Sequence, residues 1–112
     1  MSLEKYEPAI QACLDSAMRS ESCASYCLGE HEIQMMTRCI ELTKNCAAIC
    51  ILTARFLTSG SEFITQACNL CADICDVCAE ECERHYMDYC KECAQSCREC
   101  AESCRKIALE YV

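Results

Sequence analysis

Two runs of cysteine constrain this chain more than anything else in it. One places thiols at Cys68, Cys71, Cys75, Cys78 and Cys82, and the other repeats the spacing at Cys90, Cys93, Cys97, Cys100 and Cys104. Both advance by 3, 4, 3, 4, the rhythm that keeps one stripe of an α-helix turned towards a partner. In most bundles that stripe is leucine and isoleucine. Here it is sulfur, and two helices that each aim five thiols inward need more than packing to explain them.

The earlier half of the chain supplies facing partners. A first helix is expected to begin between Leu3 and Pro8, with proline tolerated in the opening turn, and to end at Gly29. Its inward stripe reads Tyr6, Ile10, Cys13, Ser16, Ser20, Cys23 and Cys27, with hydroxyls at two places where the later helices carry thiols. After a turn at Gly29-Glu30-His31, a second helix runs to about Leu57 with the stripe Met36, Cys39, Thr43, Cys46, Cys50, Thr53 and Leu57. Ser16, Ser20, Thr43 and Thr53 read as small core fillers. Thr58-Ser59-Gly60-Ser61 is the clearest turn signal, Gly60 stopping one helix and Ser61 capping the next.

The third helix carries Ile64, its five thiols and then His85 on the same stripe. The register breaks before Cys90, so a tight turn falls between Arg84 and Asp88, with Asp88 as the cap of a fourth helix that ends in Ile107 and Tyr111. Four helices of about 22 to 27 residues joined by short turns give an all-α, antiparallel up-down-up-down four-helix bundle. Two glycines, one proline and the lack of any Ser/Gly-rich joint make residues 1–112 a single domain.

Sixteen of the residues counted as hydrophobic are cysteine, so the conventional core is thin. The flanks of the sulfur stripes are small: Ala72 and Ala79 on the third helix, Ala94, Ala101, Ala108, Ser96 and Ser103 on the fourth. On the second helix Ala48, Ile51 and Leu52 point away from the stripe, an apolar group that marks a contact with another subunit. The topology brings His31, His85, Met35 or Met36, and Met87 to one mouth. It gathers Tyr6, Ile10, Phe56, Leu57, Phe63, Ile64, Ile107 and Tyr111 at the other.

A net charge of −8 argues against nucleic acid and against anionic membrane surfaces. No run of about 18 apolar residues exists to span a membrane, and the N-terminus has no signal-peptide pattern. A cytoplasmic location, where thiols stay reduced, is therefore expected. No nucleophile–base arrangement or phosphate loop suggests an enzyme.

Thiols lose their protons on meeting a soft metal. From Cys68 to Cys82 the stripe spans roughly 21 Å of helix, so the bundle holds a column of sulfur and not a single site. Closed zinc sites of four thiolates would each leave a charge of about −2 inside, which is costly without basic residues. Monovalent copper at about one per thiolate leaves the column neutral and needs only two or three sulfurs per ion. Ferredoxin-type spacing is absent, and neither histidine lies three residues after a glutamate, as di-iron bundles require. A zinc or mixed-metal thiolate buffer remains an alternative. So does a redox protein or a helical hairpin stapled by disulfides, to which the spacings Cys13 to Cys23 and Cys90 to Cys100 would correspond. His85 lies in line with the thiols as a candidate ligand; His31, Met36 and Met87 are further candidates at the mouth.

The pattern resembles the cytosolic members of the Cys-rich four-helix-bundle copper storage family. It is carried by Gly60-Ser61-Glu62-Phe63, by Cys68-x-x-Cys71-Ala72-x-x-Cys75-x-x-Cys78-Ala79-x-x-Cys82, and by Cys90-x-x-Cys93-Ala94-x-x-Cys97-x-x-Cys100-Ala101-x-x-Cys104-Arg105. The resemblance implies storage and sequestration of several Cu(I) ions by core thiolates, with histidine or methionine near one open end and assembly into a homotetramer. It carries over all sixteen cysteines, with His85 at the point of admission. It also implies histidines at two places where this chain has Ile64 and Tyr89.

Overall fold

The computed structural model describes residues 3–110. Four helices, α1 (Glu7–Cys27), α2 (Thr37–Ser59), α3 (Ile64–Cys82) and α4 (Asp88–Glu110), follow one another with short connections. Single 3₁₀ turns, Leu3–Tyr6 and Ile33–Met36, lead into the first two. Each helix packs on two others, α1 on α2 and α4, α3 on α2 and α4, in an antiparallel square some 49 Å long and 19 Å by 18 Å across.

The stripes seen in the sequence are the faces that turn inward. Tyr6, Cys13, Ser16, Ser20, Cys23 and Cys27 are buried, as is the whole α2 stripe from Met36 to Leu57. Ile10 is only half-buried. Alanines beside the thiols are sealed between helices, Ala72 and Ala79 completely. On the outside, Arg98 and Arg105 of α4 reach Asp76 of α3, Arg98 also pairing with Glu83 and Arg105 with Asp73. Exposed pairs of this kind contribute little singly, but together they mark the register of α3 on α4.

The helix ends differ from expectation in instructive ways. Gly60 does terminate α2 in the left-handed region (φ 66°), and paired bonds from Gly60 N–H to Leu57 and from Ser61 N–H to Phe56 close the end. Gly29 is not the matching terminator. It has no positive φ, and α1 stops at Cys27 in a simple turn in which Gly29 N–H donates to the Tyr26 carbonyl. Ser61 does not cap α3 either. Its Oγ accepts from the Phe63 N–H at 3.0 Å inside the turn, so α3 starts at Ile64 and is 19 residues long, shorter than expected. Asp88 is the first residue of α4, where its carboxylate meets the positive end of the helix dipole.

The two ends of the bundle are unlike. At the α2–α3 turn, Tyr6, Leu57, Ile64 and Ile107 form a buried stopper, and the Phe56 and Phe63 rings lie 6.5 Å apart at its edge. Phe63 itself is exposed, and Tyr111, also expected here, lies outside the described residues. The opposite end carries the α1–α2 and α3–α4 turns.

Because the stopper is, among the described residues, the apolar layer of ordinary kind, truncating it should hurt. Leu57→Ala should lower the stability of the reduced, metal-free protein by about 2–4 kcal/mol, whereas Leu109→Ala at an exposed position of α4 should change it by less than about 0.5 kcal/mol. Urea unfolding of both variants measures the difference.

Candidate metal centre

All sixteen thiols are free and fully buried. Helix periodicity alone does this, because steps of three and four residues return each Sγ to the bundle axis. The antiparallel order then interleaves the four stripes into successive layers.

Nearest the open end, Cys23, Cys27, Cys39 and Cys90 form one set, and Cys23, Cys82 and Cys93 the next. The centre holds Cys46, Cys78 and Cys97. Towards the stopper come Cys50, Cys71, Cys75 and Cys100, then Cys13, Cys71, Cys100 and Cys104. Within each set the sulfurs all lie within 4.8 Å of one another. Cys68 stands below the last set, where its thiol interacts with that of Cys104.

The sets are not isolated. Cys23 is shared between the upper two, and Cys71 and Cys100 between the lower two. Cys46 reaches Cys75 at 3.6 Å and Cys50 at 3.9 Å, and Cys93 reaches Cys97 at 4.0 Å. Sulfur therefore follows sulfur in short steps along the whole axis. The two C-x9-C spacings fall on α1 and α4, and hairpin staples would join them across the helices, Cys13 to Cys100 and Cys23 to Cys90. Those sulfurs stand 3.7 and 3.8 Å apart as free thiols, well beyond the S–S bond length of about 2.05 Å.

Crowding governs how these thiols ionise. Burial, with the neighbouring Cys39, pushes the Cys27 thiol up to about 11. Lower down, S–H groups of Cys100, Cys13 and Cys68 draw Cys104 down to about 5. Cys71, with Cys100 as its foremost donor, is pulled well below the usual thiol range, while Cys100 is pushed far above it by Cys104 and Cys13. The physical content is shared titration. The first thiolate in a set is held by its neighbours' S–H donors, and those neighbours then keep their protons.

The open end is a cavity of about 530 Å3 lined by Glu30, His31, Glu32, Met35, Met36, Arg84, His85, Tyr86 and Met87. All four candidates singled out beyond the cysteines, His31, Met36, His85 and Met87, are thus brought together. They differ in setting: Met36 is buried, Met87 and His85 half-buried, His31 exposed. Neither histidine joins a thiol set among the described residues. His85 lies past the end of α3, and its Nε2 is 2.9 Å from Oε2 of Glu81. Glu81 is the buried carboxylate of the bundle, 8 % exposed, and is also approached by Arg38 at 3.6 Å and Arg84 at 3.9 Å. Sequence reasoning passed over Glu81, although its place four residues before His85 was the available signal. At the rim, Tyr89 donates to Glu30 at 3.0 Å and its ring lies 5.3 Å from that of Tyr26.

The sequence profile described as copper storage protein matches residues 2–109. The chain belongs to that family. Among solved structures, the Cu(I)-bound copper storage protein BsCsp3 is 40 % identical, with a TM-score of 0.89 over 92 % of this chain and 97 % of that one. Copper storage protein 3 from Bacillus subtilis in its apo form is 39 % identical, with a TM-score of 0.85 over 92 % and 98 %. A cytosolic copper storage protein from Streptomyces lividans with five coppers is 30 % identical, with a TM-score of 0.91 over 96 % and 94 %. No curated protein matches by sequence. The resemblance read from the cysteine runs and the bundle architecture are both borne out.

Cys27 offers a test of the thiol electrostatics in the metal-free family fold. Its thiol ionises near 9.0 when free and near 11 when folded, so the unfolded chain loses the proton first. Stability from this group is complete below pH 9 and is lost as pH rises towards 11. Urea unfolding under reducing, anaerobic conditions should show that decline, and Cys27→Ser should make the slope shallower.

Proposed function

We propose that this protein binds and stores multiple Cu(I) ions through its core thiolates and so keeps copper sequestered. The observation that carries this reading is an unbroken line of sulfurs with no buried cation beside it. Among the described residues the buried polar or charged groups are Ser16, Ser20, Thr43, Thr53 and Glu81. Sixteen thiolates held as tetrahedral zinc sites would accumulate charge that nothing in the core offsets. Cu(I) at about one per thiolate leaves the column neutral, and two- or three-sulfur coordination suits layers that share members. Each ion displaces thiol protons as it binds, so uptake weakens as pH falls.

All sixteen cysteines are assigned as ligands. Met36, Met87, His31 and His85 line the mouth through which the ion is admitted, soft or borderline donors ahead of the first thiol set. The pairing with Glu81 orients the His85 ring, a carboxylate–imidazole arrangement common behind metal-binding histidines. A cytosolic setting, where thiols remain reduced, suits the function; among the described residues no helix is long and apolar enough to cross a membrane.

Titrating the reduced protein with Cu(I) against a chromophoric chelator should show well over four equivalents bound, approaching or exceeding one per thiol. Saturation at one or two would overturn the proposal, as would equal uptake of Zn(II) in direct competition. Cys78→Ser, which removes a member of the central set, should lower capacity while leaving helicity nearly intact. Helicity by circular dichroism separates loss of a ligand from loss of the fold.

Self-association belongs to the same reading. Ile51 and Leu52 of α2 and Leu14 of α1 are each more than 40 % exposed, beside a groove lined by Ile10, Leu14, Ile51, Ala54, Arg55 and Thr58. This face is assigned to contact between copies of the chain in a tetramer. Light scattering after gel filtration should give a multiple of the 12.6 kDa chain mass, reduced by Leu14→Asp with Ile51→Asp. A monomeric wild-type protein at micromolar concentration would refute it.

A further inference from the structure

We infer that Ser16 and Ser20 serve as hydrogen-bond donors to metal-bound thiolates in the middle of the column, setting the affinity of the layer that joins its two ends. The inference rests on the Cu(I) reading above. It starts from an asymmetry between helices. At the mouth α1 contributes Cys23 and Cys27, and near the stopper it contributes Cys13. Midway it contributes no sulfur. The central set draws Cys46 from α2, Cys78 from α3 and Cys97 from α4, and α1 brings serines to this level instead.

The serine hydroxyls are placed unlike the other buried hydroxyls. Thr43 donates to the backbone carbonyls of Cys39 at 2.8 Å and Ile40 at 3.0 Å, and Thr53 to that of Ala67 at 3.4 Å. Those two are satisfied by the backbone. Ser16 Oγ instead donates to Cys97 Sγ at 3.6 Å and lies 3.5 Å from Cys46 and 3.9 Å from Cys75. Ser20 Oγ lies 3.6 Å from Cys93 and 3.9 Å from Cys97. Both side chains are completely buried, and among the described residues all their hydrogen bonds go to sulfur. A helical serine ordinarily turns back to the carbonyl one turn earlier, and these two do not.

The consequence follows from proton bookkeeping. In the metal-free protein a thiol can return a hydrogen bond to serine. Once a metal displaces the thiol proton to solvent, the sulfur only accepts, and the serine O–H is the donor left at this level. While the column is only partly loaded, three thiolates around one Cu(I) carry a charge of about −2, which further ions shared with the neighbouring sets neutralise only as the column fills. Hydrogen bonds to a charged acceptor are the strong ones, so the serine dipoles offset that charge where α1 supplies no ligand. The central layer connects the mouth sets to the deep sets, through Cys93–Cys97 above and Cys46–Cys75 below. Its affinity therefore controls the passage of ions between them.

Ser16→Ala with Ser20→Ala removes both donors without removing a thiol, and alanine favours the helix. Titration with Cu(I) against a chromophoric chelator should give the wild-type total, with a fraction of the ions bound roughly tenfold more weakly. The apo melting temperature should not fall. Ser16→Cys adds a fourth sulfur to the layer and should raise total capacity. Superimposable isotherms for wild type and the double alanine variant would overturn the inference, as would uniform weakening of all ions together with a lower apo melting temperature. Failure of the storage reading itself is distinguishable, because wild type would then saturate at one or two equivalents before any variant is compared.

Discussion

Close approach of sulfur to sulfur is what the rest of this bundle is built around. Contacts of 3.6–3.8 Å between thiols on different helices are possible only if the helix backbones come near one another. The alanines beside the stripes allow it. Ala72, Ala79 and Ala101 are almost completely enclosed, and interiors packed at crystal-like density have no room to absorb a larger side chain there. These alanines therefore belong to the candidate metal centre as much as the cysteines do. They set the width of the column, and the width sets how many sulfurs an ion can meet.

Charge is distributed to suit that interior. The outer surface carries the ion pairs, including the Arg98 and Arg105 contacts along α3, and among the described residues the column itself holds none. Glu81 is the exception, and it sits at the boundary, backed by His85, Arg38 and Arg84. A buried carboxylate is tolerable when partnered in this way. Its position next to Cys82 in the chain puts the transition from charged mouth to neutral column within a single turn of helix.

Much of this was legible in the sequence because cysteine spacing carries both the helical period and the chemistry. The 3, 4, 3, 4 steps from Cys68 and from Cys90 gave the helix type, the inward face and the clustering of the thiols at once. The weaker stripe of α1 was also readable, down to Ser16 and Ser20. What was not readable were features decided by local competition or by tertiary contact. Gly29 and Ser61 have the composition of a helix stop and a helix cap, yet Gly29 takes no left-handed conformation and Ser61 bonds within its own turn. The engagement of His85 by Glu81, and the choice of the serine hydroxyls for sulfur while threonine hydroxyls choose the backbone, depend on where three other helices lie. No local pattern encodes that.

The stopper of Tyr6, Leu57, Ile64 and Ile107 leaves the column blind at one end. In the storage role proposed above, ions enter and leave by a single mouth, and the layers beside Cys68 and Cys104 exchange with the surroundings only through the layers above them. Depth along one axis then separates a readily exchanged store from a slowly exchanged one.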